Sequence, residues 1–156
     1  MKIFLLGVIF LLAGCSVKNY AINESKIIIL KSSQLKYADL GYIRNSGDAL
    51  RIELYEMGNL VTSIEIDNLI CIDEGCMPKS VFNAKYLNEN YPSDTLENVI
   101  LGKEIYGGKN LVRSAEGFAQ NIKDNHVDIE YEVKRKEIRF KDRRNNVLMK
   151  ISSPSR

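Results

Sequence analysis

With 156 residues, 45% of them hydrophobic, the chain has enough apolar side chain to close one core and no need of a second domain. Its 22 Lys and Arg are interspersed with 20 Asp and Glu, leaving a formal charge of +2. That balance excludes both the one-sided basic stripe of a nucleic-acid binder and the charge excess of a disordered chain.

The chain opens on Lys2 and an apolar run from Ile3 to Leu12, broken only by Gly7. About ten apolar residues behind a positive start read as a secretory signal, since a spanning helix needs about twenty. Leu12-Ala13-Gly14-Cys15 matches the lipobox of bacterial lipoproteins. The match predicts removal of residues 1–14 and a lipid on Cys15, with S-diacylglycerol on the thiol and N-acyl on the new amino terminus. Several acyl chains, at about 0.8 kcal/mol per buried methylene, anchor a protein far more firmly than one. In Gram-negative lipoproteins an aspartate after the lipidated cysteine favours retention in the inner membrane. Ser16 stands there instead, and the resemblance implies the periplasmic face of the outer membrane.

Residues 15–25 are polar and aperiodic, which predicts a tether, and residues 26–156 then form a single antiparallel β domain. Strand-like sequence begins at Ile27 to Leu30 and continues at Tyr37 to Ile43, closed by an Asn45-Ser46-Gly47-Asp48 turn. From Leu50 the alternation is clean. Leu50, Ile52 and Leu54 share one face, Arg51, Glu53 and Tyr55 the other. Glu56-Met57-Gly58-Asn59 interrupts before Ile64 and Ile66 resume the pattern, and Leu69 to Ile72 and Ser80 to Phe82 read as further short strands. After Tyr91-Pro92, Ser93 or Asp94 is placed to cap a helix near residues 93–101, with Leu96, Val99 and Ile100 on its apolar face. Beyond Gly107-Gly108 the β pattern returns at Phe118 to Lys123, Val127 to Val133, Ile138 to Phe140 and Val147 to Ile151. Many strands, one helix and no βαβ alternation predict a mainly β (α+β) fold in which an antiparallel sheet closes around a short central helix.

Little catalytic chemistry is visible. His126 is the single histidine, no nucleophile elbow or phosphate loop occurs, and Glu53, Glu65, Glu130 and Glu132 sit at outward positions read as solvated. No enzyme and no metal site is expected. Lys134-Arg135-Lys136 and Arg143-Arg144 read as solvated hairpin ends, with anionic head groups as the other reading. Once Cys15 is lipidated, Cys71 and Cys76 remain as a pair around the turn formers Ile72-Asp73-Glu74-Gly75. In an oxidising compartment a disulfide is the natural inference, with two free thiols as the alternative.

Taken together, Gly47 to Leu54, Met57-Gly58, Thr62 to Ile66, Leu96 to Gly102 and the C-terminal run from Phe118 to Ile151 resemble the LolB family, the outer-membrane receptors of lipoprotein localisation. The resemblance implies an incomplete antiparallel β-barrel wrapped over helices around an apolar cavity that receives acyl chains. It implies a periplasmic lipoprotein carrier and cargo lipoproteins as partners, beside the membrane itself. Leu50, Ile52, Leu54, Ile64, Ile66, Val127, Ile129 and Tyr131 are the candidate cavity walls. Met57 matches the leucine of the family's Pro-Leu-Gly turn and becomes the candidate for insertion into membrane or cargo, a role its place on a tight turn also suggests. A structural or assembly lipoprotein that binds a protein partner through the same fold is the alternative.

Overall fold

A computed structural model of the chain describes residues 22–154. The expected signal segment, Cys15 and most of the expected tether lie outside the described residues.

Six strands come first: β1 (Ile22–Lys31), β2 (Lys36–Asn45), β3 (Leu50–Glu56), β4 (Asn59–Ile66), β5 (Leu69–Ile72) and β6 (Gly75–Pro78). Helices α1 (Lys79–Tyr86) and α2 (Thr95–Ile100) and a 3₁₀ turn at Tyr106–Gly108 follow. The chain ends with β7 (Leu111–Ser114), β8 (Gly117–Lys123), β9 (Asp128–Lys134), β10 (Glu137–Asp142) and β11 (Val147–Ser152). All eleven strands join one antiparallel sheet, in the order β6-β5-β4-β3-β2-β1-β11-β10-β9-β8-β7. Each half is a meander of tight turns, and β1 pairs with β11 to join the halves. The strands at the two ends of the order, β6 and β7, are not paired with each other, so the sheet stays open.

Period-two alternation sends one face of both halves inward. Leu50, Ile52, Leu54, Ile64 and Ile66 from one half share a single core with Ile129, Tyr131, Phe140, Met149 and Ile151 from the other. Phe82 and Tyr86 of α1 and Leu96, Val99 and Ile100 of α2 belong to the same core. The inner face of each half therefore meets the helices. Buried polar groups fix the irregular segment around them. Asp142, wholly buried, accepts hydrogen bonds from the Tyr91 hydroxyl (2.8 Å), the amides of Asp128, Arg144 and Asn145, and the Asn145 side chain. Gln120 exchanges hydrogen bonds with the main chain of Ile105 and donates to the Lys109 carbonyl. The Tyr131 hydroxyl donates to the Lys103 carbonyl at 2.8 Å. Each removes a pairing deficit that would otherwise oppose burial of this segment.

Several expectations are corrected. Ser80 to Phe82 is not a strand but part of α1. Pro78, with no amide to give a ladder, precedes the helix, and Phe82 and Tyr86 stack at i,i+4 with ring centroids 4.7 Å apart. The tether does not run to residue 25, because Ile22 to Ser25 already pair with Asn45 to Tyr42. Those residues lack alternation because β11 joins β1 only from Ile27 onward. Asp94 occupies the N-cap position of α2 without a side-chain capping bond; its carboxylate accepts from Asn98 instead. Val127 is buried but lies in the turn before β9.

Candidate functional site

The turn joining β3 to β4 consists of Met57 and Gly58, with φ of 49° and 82°. Positive φ at both central residues is the type I′ geometry that suits the right-handed twist of a hairpin, and it favours Asn-Gly or Gly-Gly. Gly58 accepts it freely, whereas a left-handed conformation costs an ordinary L-residue such as Met57 roughly 1–2 kcal/mol. Nothing repays that strain by packing, since Met57 is 95% exposed.

Behind this tip the sheet splits. β2 pairs with β3 only from Gly41 to Asn45, while Lys36 to Leu40 pair with β1 alone. Gly41 stands at the fork because a Cβ there would lie 2.6 Å from Ile28 Cδ1 and 2.7 Å from the Glu53 carbonyl oxygen. Beyond it the β1–β2 end is drawn over the helices, where the Ser32 hydroxyl donates to the Tyr86 carbonyl at 2.6 Å. The hydroxyl of Tyr37 bridges the open fork: it accepts the Tyr55 amide (3.0 Å) and lies 2.6 Å from the Leu40 carbonyl and 2.9 Å from that of Tyr55. Partial burial raises the pKa of this phenol, keeping it a neutral donor. A groove of about 590 Å³ remains, bordered by Leu40, Tyr42, Arg44, Tyr55 and Met57.

Glu53 corrects the reading of a solvated strand carboxylate. It faces outward as alternation requires, yet only 8% of it is exposed. Arg44 Nη2 reaches it at 3.0 Å and Arg51 Nε at 3.1 Å, and the Tyr55 hydroxyl donates at 3.3 Å. Arg51 also faces Glu65 at 3.7 Å. Two arginines and two glutamates thus neutralise one another beneath the groove.

No family model, no curated protein sequence and no solved structure matches the chain. The site therefore has to be read from its own geometry.

The eight candidate cavity walls all lie in the closed core, each 1–3% exposed. Leu54 and Ile64 also border a cleft of about 260 Å³ against Phe82 and Tyr86 of α1, with Leu35 at its rim. That volume falls below the roughly 300–1,000 Å³ of typical ligand pockets. Glu74 ties α1 down beside this cleft by accepting from Lys85 (2.8 Å) and Tyr86 (3.0 Å), and these donors hold its carboxyl below the ordinary range. Cys71 and Cys76 form a disulfide across the β5–β6 hairpin, pinning its turn. His126 is exposed in the β8–β9 turn, where its amide donates to Asp124. Among the described residues no group of three or more His, Cys, Asp or Glu converges as a metal site would require, and no helix is long and apolar enough to cross a membrane. Sequence reasoning missed Leu40 and Tyr42 as neighbours of Met57 on the groove, because strand register rather than spacing brings them together.

Proposed function

We propose that this chain is an outer-membrane lipoprotein, anchored through Cys15, that receives acylated lipoproteins and eases their acyl chains into the membrane in the manner of the LolB family. The observation that carries the reading is Met57, an apolar side chain displayed almost wholly to water on a strained turn. Water disfavours that arrangement, while burial in lipid would return about 1.5–3 kcal/mol. A thioether on a flexible stem adapts to varied chains.

The open eleven-stranded sheet, with both helices against its inner face, supports an incomplete barrel wrapped over helices. In this reading the eight core residues are the lining of a closed state. An acyl chain would enter at the cleft that Leu54 and Ile64 form with Phe82 and Tyr86 of α1, and its accommodation would require α1 to move away from the sheet and release the Lys85 and Tyr86 bonds to Glu74. No bond is made or broken: a periplasmic carrier supplies cargo, and release into the bilayer requires that the cleft hold it only moderately.

Met57→Glu tests the role. The variant should fold as the native protein does, yet lose delivery of an acylated lipoprotein to vesicles and, when prepared without the Cys15 lipid, dock on outer-membrane lipid about tenfold or more weakly. Native transfer by a folded Met57→Glu protein would refute insertion by the tip. A second reading, an assembly lipoprotein that binds a protein partner, is favoured by one observation, the filled core beside an exposed apolar surface. Under it, Met57→Glu would leave lipid docking intact and abolish capture of that partner.

A further inference from the structure

Apolar exposure near Met57 is organised across four strands. Ile27 pairs with Leu40, the Tyr37 hydroxyl joins the main chains of Leu40 and Tyr55, and Tyr55 pairs with Leu60. Cross-strand partners share a face, and Ile27 alternates with buried Ile28 and Tyr55 with buried Leu54. The four side chains therefore form one row on the outer face, perpendicular to the strands, with Ile27 and Leu40 each 38% exposed and Leu60 49%. Tyr42, its ring edge-on to Tyr55 at 5.4 Å, continues the surface toward the neutralised layer of Arg44, Glu53, Arg51 and Glu65. The corresponding outer face of β9–β11 carries Glu130, Glu132, Arg139, Lys141 and Lys150 around a single half-buried Leu148, with no apolar row across its strands.

The place where the anchor enters makes this row informative. Ile22 pairs with Asn45, and Asn45 with Leu50, so the chain from Cys15 joins the sheet level with the start of β3. Met57 stands seven residues beyond Leu50, roughly 24 Å along the strand. Cys15 also lies seven residues from Ile22, a span of at most ~25 Å if fully extended. A relaxed chain of that length covers only about 15 Å. With strands upright and the tip in the bilayer, the tether would be at its limit. A relaxed tether leans the strands over and brings one face of the sheet down.

We infer that this face is the outer surface of β1–β4, which lies on the phospholipid bilayer with its apolar row at the interface and Met57 leading. The inference rests on the anchor at Cys15 and on the insertion role of Met57. The Arg44, Arg51, Glu53 and Glu65 charges of this face cancel, while Lys31 and Lys36 at its far hairpin end leave it weakly cationic, so its attachment to neutral phospholipid should resist salt and need no anionic lipid.

The chain contains no tryptophan, so a single introduced one reports its own surroundings. The lipidated protein is reconstituted in phosphatidylcholine vesicles with brominated acyl chains, carrying Ile27→Trp, Leu40→Trp, Met57→Trp or Val112→Trp, the last exposed on the end strand β7. Quenching with a blue shift is expected at positions 27, 40 and 57 and not at 112, unchanged in high salt. Quenching at Met57→Trp alone would overturn the face-down orientation and leave tip insertion standing. Quenching at none of the four, or failure of the protein to associate with vesicles at all, would overturn both. Ile27→Trp and Leu40→Trp report the same row, so misfolding of one leaves the other to decide.

Discussion

Replacing Met57 by Asn should make the domain more stable and less able to engage lipid. The backbone at Met57 sits at φ 49° with no compensating packing, and Asn enters that region far more readily. Relief of about 1 kcal/mol is expected, or about 3–4 °C in Tm for a domain of this size. Met57→Leu keeps the strain and the apolar character and should change neither property. Stability is read from urea or thermal unfolding of the mature protein. Docking is read from the insertion of the β3–β4 tip into vesicles, where loss of the 1.5–3 kcal/mol of methionine burial predicts about tenfold or greater weakening. A destabilised Met57→Asn protein would refute the reasoning, because it would mean that the side chain packs onto the sheet and contributes to the fold.

Gly41→Ala should destabilise by about 1–3 kcal/mol, seen as a lower urea midpoint, since the new methyl would meet the Glu53 carbonyl oxygen at 2.7 Å. Tyr91→Phe should cost about 1.5–3 kcal/mol by removing a hydrogen bond to a carboxylate. Asp142→Ala should cost more, because it strands the amides of Asp128, Arg144 and Asn145 as well. Burial raises the pKa of Tyr91, reinforced by Asp142, and burial raises that of Tyr131. Each group binds its proton more tightly folded than unfolded, so its contribution is complete below about pH 10 and is lost as pH rises further. Alkaline titration should show these two phenols ionising together with loss of far-ultraviolet circular dichroism; ionisation in the still-folded protein would contradict their burial.

Strands whose buried and solvent residues alternate were legible almost to the residue: β3 begins at Leu50, and β9, β10 and β11 fall where Ile129, Phe140 and Met149 recur. Helix α2 was legible for the same reason, with Leu96, Val99 and Ile100 on one face. Helix α1 was not, because eight residues after a hairpin carry too short a period and Ser80-Val81-Phe82 in isolation has strand character. The end strand β7 escaped notice because its four residues are all at least partly exposed and show no alternation. At the candidate site, Met57 could be picked out locally, as the break between two alternating runs before a glycine. Its neighbours could not. Leu40 comes beside Tyr55 only through the pairing of Gly41 with Leu54 and the Tyr37 hydroxyl that links their main chains, and Glu53 is buried because register places Tyr42 and Arg44 beside it, adding to Arg51 two residues earlier on its own strand. Both depend on pairing between segments, which residue spacing within a segment does not encode.

The claim that this closed core opens to an acyl chain is tested most directly by a lipoprotein carrying a photoreactive acyl group, mixed with the mature protein and illuminated. Mapping by mass spectrometry is expected to place adducts on Leu35, Leu54, Ile64, Phe82 or Tyr86, where α1 meets β3 and β4, adducts that unlabelled acylated cargo removes and cargo without the acyl chain leaves in place. Adducts confined to the outer face, or none at all, would contradict the account.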